Sequence, residues 1–178
     1  LDDDCAVLTS VGIDHTEYLG STREAIGREK AGIFRAGKPA VVGDPSPPAS
    51  VLEDIRRKGA QLLLIGRDFG YQAQGTQWAY WGPAGKRSGL AHPALRGAVQ
   101  LRNASAAFAA VDALRERLPV AMQDLRAALA GTVLPGRFQV LPGRPQVVLD
   151  VAHNPEAAAV LAANLGDSGF SPQTIAVF

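Results

Sequence analysis

The sequence has few of the features that mark secreted, nucleic-acid-binding or membrane proteins. Its single cysteine, Cys5, cannot form an internal disulfide, which fits a reducing compartment. The 18 Lys and Arg residues are matched by 17 Asp and Glu residues, so no net field attracts nucleic acid or an anionic membrane. We find no signal-peptide pattern, and no apolar run approaches the ~20 residues that a membrane span needs. These absences predict a cytoplasmic protein that binds neither nucleic acid nor membrane.

The sequence also lacks a phosphate-binding loop of the form Gly-x-x-x-x-Gly-Lys-Ser/Thr. The nearest match is Gly82-Pro83-Ala84-Gly85-Lys86-Arg87-Ser88, in which the glycines have the wrong spacing. Because this segment is rich in turn residues, we interpret it as a hairpin turn. We find no internal repeat and no low-complexity segment.

Apolar strands alternate with helical patterns in the first third of the chain. Hydrophobic residues make up 47% of the 178 residues, which is enough for a core in one domain, or in one domain and part of another. Strands are predicted at 5–10, 39–43 and 61–65, with a helix from residue 21 and another at 49–58. This alternation favours a parallel sheet covered by helices. Ser21 and Glu24 are predicted to form a capping box that opens the first helix, and Gly32 to end it.

The pattern changes twice after residue 65. Aromatic residues and glutamines alternate from Phe69 to about Leu90, which predicts an antiparallel meander. Helical patterns follow at 101–117 and 122–130, and 131–136 resembles a linker. Predicted strands at 146–150 and 174–178 then flank a helix at 155–165, as a β-α-β unit with a right-handed crossover. The chain is therefore predicted to be an α/β protein in two parts, residues 1–134 and 135–178.

Short motifs follow one another along almost the whole chain. They are Leu8-Thr9-Ser10, Asp14-His15, Arg28-Glu29-Lys30-Ala31-Gly32-Ile33, Asn103-Ala104, Leu134-Pro135-Gly136-Arg137-Phe138 and Asp150-Val151-Ala152-His153-Asn154-Pro155. In this order they resemble the folylpolyglutamate synthases and dihydrofolate synthases, which are relatives of the Mur ligases. The resemblance implies part of a Mur-ligase-like central domain for residues 1–134. It implies the start of a Rossmann-like C-terminal domain for residues 135–178.

The resemblance further implies an ATP-dependent ligase that uses ATP and Mg²⁺. A pteroate or folate carboxylate would be phosphorylated to an acyl phosphate, and the α-amine of L-glutamate would then attack it with release of ADP and phosphate. In that family the phosphate loop lies well upstream of the Asp-His motif. We therefore expect this chain to be the middle of a larger enzyme and to be inactive alone. The enzyme is expected to act as a monomer on small molecules.

Two other functions remain open. A Mur-type ligase would keep the chemistry and change the acceptor to a UDP-linked sugar peptide, although residues 28–33 and 134–138 look closer to the folate branch. A nucleotide-binding or interaction module without enzymatic activity would require that the whole protein lack a phosphate loop. The residues that precede Leu1 would discriminate between these functions.

Two residues are candidate metal ligands. Taken alone, His15 is more often a loop histidine with no ligand, whereas the resemblance implies that it binds Mg²⁺. Lys30, in the last turn of a helix, could simply complement the helix dipole. By resemblance it is carbamylated and helps to hold a second Mg²⁺, because two cations near phosphates need oxygen anions and repel an ammonium. Lys30 is therefore also a candidate catalytic residue.

Four residues are candidates for binding ATP. Asn103 could satisfy local backbone groups, and by resemblance contacts the adenine. Arg137 could be a solvated linker residue; the resemblance makes it a catalytic residue that contacts the ATP phosphates when the domains close. Asp150 ends a predicted strand, where ligands bind in open α/β sheets, and the resemblance assigns it to ATP. His153 is either part of a helix N-terminus or a neighbour of the nucleotide.

Overall fold

The computed structural model describes residues 2–14, 19–97, 99–169 and 173–177. The chain divides into two compact units, the first comprising Leu1–Ala94 and Val99–Thr132 and the second Leu95–Ala98 and Val133–Phe178. The main segment of the second unit begins beside residue 134, where the sequence predicted a boundary. The assignment of the units to a central and a C-terminal domain stays a prediction. Within the described ranges, no helix is both long and apolar enough to cross a membrane.

The first unit contains the predicted parallel sheet. Its strands β1 (Ala6–Leu8), β2 (Pro39–Val42) and β3 (Gln61–Leu64) lie in that order, and residues 6–8 of β1 pair with residues 40–42 of β2. Helices follow β1 and β2, so each crossover carries a helix, as parallel strands require. The elements are β1 (Ala6–Leu8), α1 (Arg23–Lys30), a short 3-10 helix (Ala31–Ile33), β2 (Pro39–Val42), α2 (Ala49–Lys58) and β3 (Gln61–Leu64). The predicted α/β fold is confirmed.

An antiparallel meander follows, and two helices complete the first unit. The meander strands β4 (Gly70–Gln74), β5 (Gln77–Gly82) and β6 (Gly85–Ala91) pair in that order, and β5 passes to β6 through a turn within residues 82–88, where a hairpin turn was predicted. The elements are β4 (Gly70–Gln74), β5 (Gln77–Gly82), β6 (Gly85–Ala91), α3 (Val99–Ala113) and α4 (Met122–Gly131). Residues 82–88 therefore form a tight turn and the start of a strand, and their glycines do not form a phosphate loop.

The two faces of the parallel sheet are buried by different elements. Ala40 and Val42 of β2 belong to a core with residues of α1 and α2, among them Ile26. Val41, whose side chain points to the other face, belongs to a core with Trp78 of the meander and Phe108 of α3. Helices α1 and α2 therefore cover one face of the sheet, and α3 with the meander covers the other.

The predicted capping box at the start of α1 is wrong. Thr22, not Ser21, caps the helix, and its hydroxyl accepts a hydrogen bond from the Ala25 amide at 3.2 Å. Glu24 instead accepts hydrogen bonds from the amides of Ala49 at 3.1 Å and Ser50 at 2.8 Å. These N–H groups, Ser50 first, lower the pKa of Glu24. Because α2 has no side-chain cap of its own, its exposed amides attract this carboxylate from the neighbouring helix.

Gly32 does not end α1 as predicted. The helix ends at Lys30 and tightens into the 3-10 helix, within which Gly32 lies, and Phe34 then returns the chain to an extended conformation. The ammonium of Lys58 donates to the Ala31 carbonyl at 2.7 Å. A cation from α2 therefore satisfies a backbone acceptor at this terminus, and a left-handed glycine is not required.

A buried ion pair joins the meander to α3. Arg87 of β6 donates to both carboxylate oxygens of Asp112, at 3.1 and 2.5 Å, and the Tyr80 hydroxyl donates to Asp112 at 2.9 Å. The Arg87 guanidinium also lies over the rings of Tyr80 and Phe108. Burial, followed by the hydrogen bond to Asp112, raises the pKa of Tyr80. Three polar groups are thus mutually satisfied where each alone would be costly to bury.

We expect Asp112→Ala to lower the free energy of unfolding of this chain by about 3 kcal/mol. Removing one partner of a buried ion pair leaves the charge of the other uncompensated. The expected loss of stability is at the low end for such pairs because the Arg87 side chain is still 22% exposed. Urea unfolding measures the change. Glu116→Ala, at an exposed position just beyond α3, serves as the control and should change stability by less than about 0.5 kcal/mol. Equal stability of the two variants would contradict this role.

The second unit is built differently from its prediction. Strand β7 (Gln139–Leu141), which the sequence analysis missed, pairs antiparallel with β8 (Val147–Leu149), and helix α5 (Pro155–Asp167) follows. The predicted β-α-β unit is wrong, because residues 173–177 form no strand. Ile175 and Val177 are exposed instead. An apolar run forms a strand only where the backbone of a neighbouring segment can hydrogen-bond to it. In the described residues, β8 pairs with β7.

Candidate functional site

Arg137 lies in a tight turn that precedes β7. Its amide donates to the Leu134 carbonyl at 3.3 Å, and its side chain is exposed. Both neighbours have positive φ angles, +69° at Gly136 and +45° at Phe138. Phe138 is only 4% exposed, so its side chain anchors the turn. The backbone on each side of Arg137 is therefore held in a specific conformation while the guanidinium faces outward.

Asp150 follows β8 and binds that turn. One carboxylate oxygen accepts the Phe138 amide at 2.8 Å, and the other accepts the Ala152 amide at 2.8 Å. The Gly136 amide donates to the side-chain oxygen of Gln139 at 3.0 Å. The structure thus brings together the turn that carries Arg137 and the predicted nucleotide residue Asp150.

Gly136 is fixed by its surroundings as well as by its φ angle. A Cβ atom there would lie 2.9 Å from Cγ1 of Val151, closer than real Cβ contacts allow. We expect Gly136→Ala to destabilise the protein by about 1–2 kcal/mol, because a left-handed conformation is costly for alanine.

The matched control for Gly136→Ala is Gly166→Ala. Gly166 lies in α5 and has nothing within 4 Å of its ideal Cβ position. This control should be neutral or stabilising by up to about 1 kcal/mol. Urea unfolding compares the two variants, and equal stability would show that Val151 yields easily and that the turn is not tightly held.

His153 and Asn154 lie at the start of α5. The Asn154 side chain caps the helix by accepting the Ala157 amide at 2.8 Å, and Pro155 occupies the first turn. His153 is exposed, and its Nδ1 lies 2.8 Å from the Val151 carbonyl oxygen. This contact is a hydrogen bond when Nδ1 carries a proton. Asp150 and His153 therefore flank one short connection between β8 and α5.

Asn103 lies in the second turn of α3, which begins two residues before the helical pattern predicted at 101–117. Its amide donates to the Gln100 side-chain oxygen at 3.3 Å. Ala106, one turn later, packs on Gly43 just beyond β2, where an added Cβ would lie 3.3 Å from the Ala106 Cβ. Because one helical turn rises about 5.4 Å, Asn103 lies near the carboxyl edge of the parallel sheet.

Lys30 is the last residue of α1, as predicted, and it is exposed. It lies on a helix that covers one face of the sheet, whereas Asn103 lies on a helix that covers the other. His15, the other predicted metal ligand, falls outside the described residues. Within the described ranges, no group of three or more His, Cys, Asp or Glu side chains could hold a metal ion.

The sequence analysis missed a buried carboxylate at the carboxyl end of β2. Asp44 accepts the Val11 amide at 3.0 Å, the Ser46 amide at 2.9 Å and the Arg23 guanidinium at 3.1 Å. Arg23 also donates to the Val11 carbonyl at 2.8 Å. Together these bonds hold the backbone just after β1, close in sequence to Asp14. The signal was present, since Asp44 follows an apolar strand as Asp150 does.

Known proteins resemble this chain over most of its length, although no protein-family model matches it. The dihydrofolate synthase/folylpolyglutamate synthase of Escherichia coli K12 is 43% identical over 161 residues, which are 90% of this chain and 37% of that protein. The folylpolyglutamate synthase of Lacticaseibacillus casei is 36% identical over 160 residues, 85% of this chain and 37% of that protein.

Solved structures agree with these sequence relatives. E. coli FolC in complex with DHPP and ADP superposes with a TM-score of 0.89 at 39% identity, over 97% of this chain and 40% of that one. The bifunctional Yersinia pestis enzyme complexed with AMPPNP and Mn ion has a TM-score of 0.83 at 41% identity, over 94% of this chain and 39% of that one. The chain thus spans less than half the length of these relatives. On this identity and coverage, and in agreement with its motifs, the chain belongs to the dihydrofolate synthase/folylpolyglutamate synthase family.

Proposed function

We propose that the protein containing this chain is an ATP-dependent ligase that joins L-glutamate to the carboxylate of a pteroate or folate. The observation that carries the proposal is the Arg137 turn, which is bound to Asp150 beside β8. The chain that contains this turn is 43% identical to the dihydrofolate synthase/folylpolyglutamate synthase of E. coli. Relatives in complex with ADP, AMPPNP, Mn ion and L-glutamate support the same set of small-molecule ligands. A cytoplasmic location and a monomeric state are parts of this proposal.

The residues of the second unit suit a nucleotide. Arg137 presents five N–H donors on a held backbone, which suits phosphate oxygens. Asp150 keeps unused lone pairs on both carboxylate oxygens, so it can accept a ribose hydroxyl while it binds Phe138 and Ala152. His153 lies beside Asp150 and is the lesser candidate. In the first unit, we assign Asn103 to the adenine, whose amino group and ring nitrogens match an amide.

ATP would supply the phosphoryl group that activates the folate carboxylate as an acyl phosphate. The proposed reaction requires no nucleophile from the enzyme, because glutamate supplies the attacking amine, so the side chains of this chain act by orientation and by neutralising charge. Arg137 is the residue best suited to stabilise negative charge that develops during transfer. The α-amine of glutamate then displaces phosphate, and ADP is released.

Mg²⁺ is the second proposed cofactor, and two residues of this chain are proposed to bind it. His15 and Lys30 are the proposed contributors from this chain, with Lys30 carbamylated so that it offers an anionic oxygen. The described residues include no group of three or more His, Cys, Asp or Glu side chains that could hold the ion, and we propose that other oxygen ligands complete its site.

A panel of acceptors tests the proposed function. The intact protein is incubated with ATP, L-glutamate and either dihydropteroate, tetrahydrofolate or a UDP-linked sugar peptide with its amino acid, and the products are identified by mass spectrometry. We expect a glutamyl adduct of the pterin substrates and none of the sugar peptide, with no product from the 178-residue chain alone. Ligation of the sugar peptide would assign the protein to the Mur-type branch, and ATP binding without any adduct would favour a nucleotide-binding module.

A further inference from the structure

The Asp150 carboxylate binds two backbone N–H groups. Its two oxygens accept the amides of Phe138 and Ala152, both at 2.8 Å. Phe138 is twelve residues earlier in the chain and directly follows Arg137. The carboxylate therefore links the end of β8 to the turn whose side chain we assign to the ATP phosphates.

The conformation of that turn needs external support. Phe138 has a φ of +45°, a region that costs a residue with a Cβ about 1–2 kcal/mol. Such a conformation persists only where the surroundings determine it. Three contacts do so here: the Asp150 bond to the Phe138 amide, the buried Phe138 ring, and the Gln139 bond to the Gly136 amide.

We propose that Asp150 is a positioning residue for Arg137, which it orients by holding the Phe138 amide, in addition to any contact with the nucleotide. The inference rests on the proposed ligase function. Loss of the Asp150 charge would leave the turn free to relax, and Arg137 would spend less time directed at the phosphates. Such a loss acts on kcat through Arg137 and leaves ATP binding largely intact.

Asparagine is an informative replacement at position 150. It keeps nearly the same volume but has one acceptor oxygen, and its NH₂ group would face one of the two amides that the carboxylate now accepts. One of the charge-assisted bonds is therefore lost. We expect Asp150→Asn to lower kcat about 10-fold to 100-fold in the intact enzyme, the equivalent of a hydrogen bond to a charged group.

A double-mutant cycle separates positioning from direct contact with ATP. In an Arg137→Ala background, Asp150→Asn should change kcat by less than about 2-fold, because residues that act through one another are not additive. Gln139→Ala, which frees the Gly136 amide, should show a smaller loss of kcat that also disappears in that background. Independent losses of kcat that multiply would overturn the proposal.

Deoxynucleotides provide a second discrimination. If Asp150 acted only by accepting a ribose hydroxyl, its substitution would cost little with 2′-deoxy-ATP or 3′-deoxy-ATP, whichever lacks the contacted group. A positioning residue gives the same loss of kcat with all three nucleotides. A penalty seen with ATP and absent with one of the deoxynucleotides would overturn the proposal.

Hydrogen exchange tests the geometry without using activity. In the intact protein without substrates, the Phe138 amide should be protected, and Asp150→Asn should raise its exchange rate at least about 10-fold, while Asp167→Asn at the exposed end of α5 should not. Unchanged Phe138 exchange in Asp150→Asn would overturn the positioning role even in an active enzyme. An unsubstituted protein that folds but ligates no glutamate would instead refute the proposed function.

Discussion

Arg137→Ala in the intact enzyme is expected to lower kcat about 10²-fold to 10³-fold while changing the affinity for ATP much less. The guanidinium is exposed at the apex of a turn whose backbone is held on both sides. We propose that this group stabilises charge that develops in the transition state, so its loss should appear mainly in kcat. Steady-state kinetics with ATP as the varied substrate, together with ATP binding, measures both effects.

Arg144→Ala is the matched control for Arg137→Ala. Arg144 is an exposed arginine between β7 and β8 of the same unit, so its loss changes the net charge equally. We expect its kcat to stay within about 2-fold of the unsubstituted enzyme, as for a surface substitution away from a site. Should Arg137→Ala behave like Arg144→Ala, Arg137 would be a solvated linker residue after all.

Lys30→Ala is expected to abolish activity, with partial recovery when a small carboxylic acid is added. We propose that Lys30 is carbamylated: its neutral amine adds to CO₂, loses a proton and becomes an anion that can face a cation. An added carboxylate would replace that anion, whereas an added amine would not. Depletion of CO₂ should lower the activity of the unsubstituted enzyme, and bicarbonate should restore it.

Arg28→Ala separates this role from a general effect of helix charge. Arg28 is exposed in the same last turn of α1, so both substitutions remove one cation near the same helix terminus. The dipole contribution is about 0.3–1 kcal/mol for either residue, which cannot account for complete inactivation. A high-resolution map of the MgATP complex with an unmodified Lys30 ammonium beside an occupied second metal site would rule out carbamylation.

The parallel sheet and the meander could be predicted because their signals are local. Apolar strands separated by a helical pattern imply crossover connections, and residues 82–85 carry the composition of a hairpin turn. Lys30 was placed correctly in a last turn for the same reason. Each of these predictions depends on residues that are neighbours in the sequence, and the structure then follows from backbone geometry.

The rest depended on partners far away in the sequence. Glu24 has the right spacing for a capping box, but the unsatisfied amides of α2 offer it a better partner. Asp112 in a helical pattern gave no sign that Arg87 and Tyr80 would meet it. Strand β8 was expected to pair in parallel with residues 174–178. It pairs antiparallel with β7, which is nearer in the sequence. In each case the competing partner is visible only in the folded chain.

The same distinction applies to the candidate site. The motif around Asp150 pointed to a ligand at a strand end, but its bond to Phe138 could not be anticipated from a separation of twelve residues. Asp44 was overlooked although it too follows an apolar strand. A carboxylate after a strand is typical of positions where ligands bind, and the folded chain shows which backbone groups that carboxylate holds.

Oxygen transfer from the acceptor tests the proposed ligase most directly. The intact enzyme is supplied with ATP, L-glutamate and a pteroate or folate whose reacting carboxylate carries ¹⁸O at both oxygens, and the phosphate and the amide product are analysed by mass spectrometry. An acyl phosphate predicts one ¹⁸O atom in each phosphate released, with one ADP formed for each glutamate joined. Unlabelled phosphate accompanying the glutamyl product, or no glutamyl product at all, would contradict the proposed reaction.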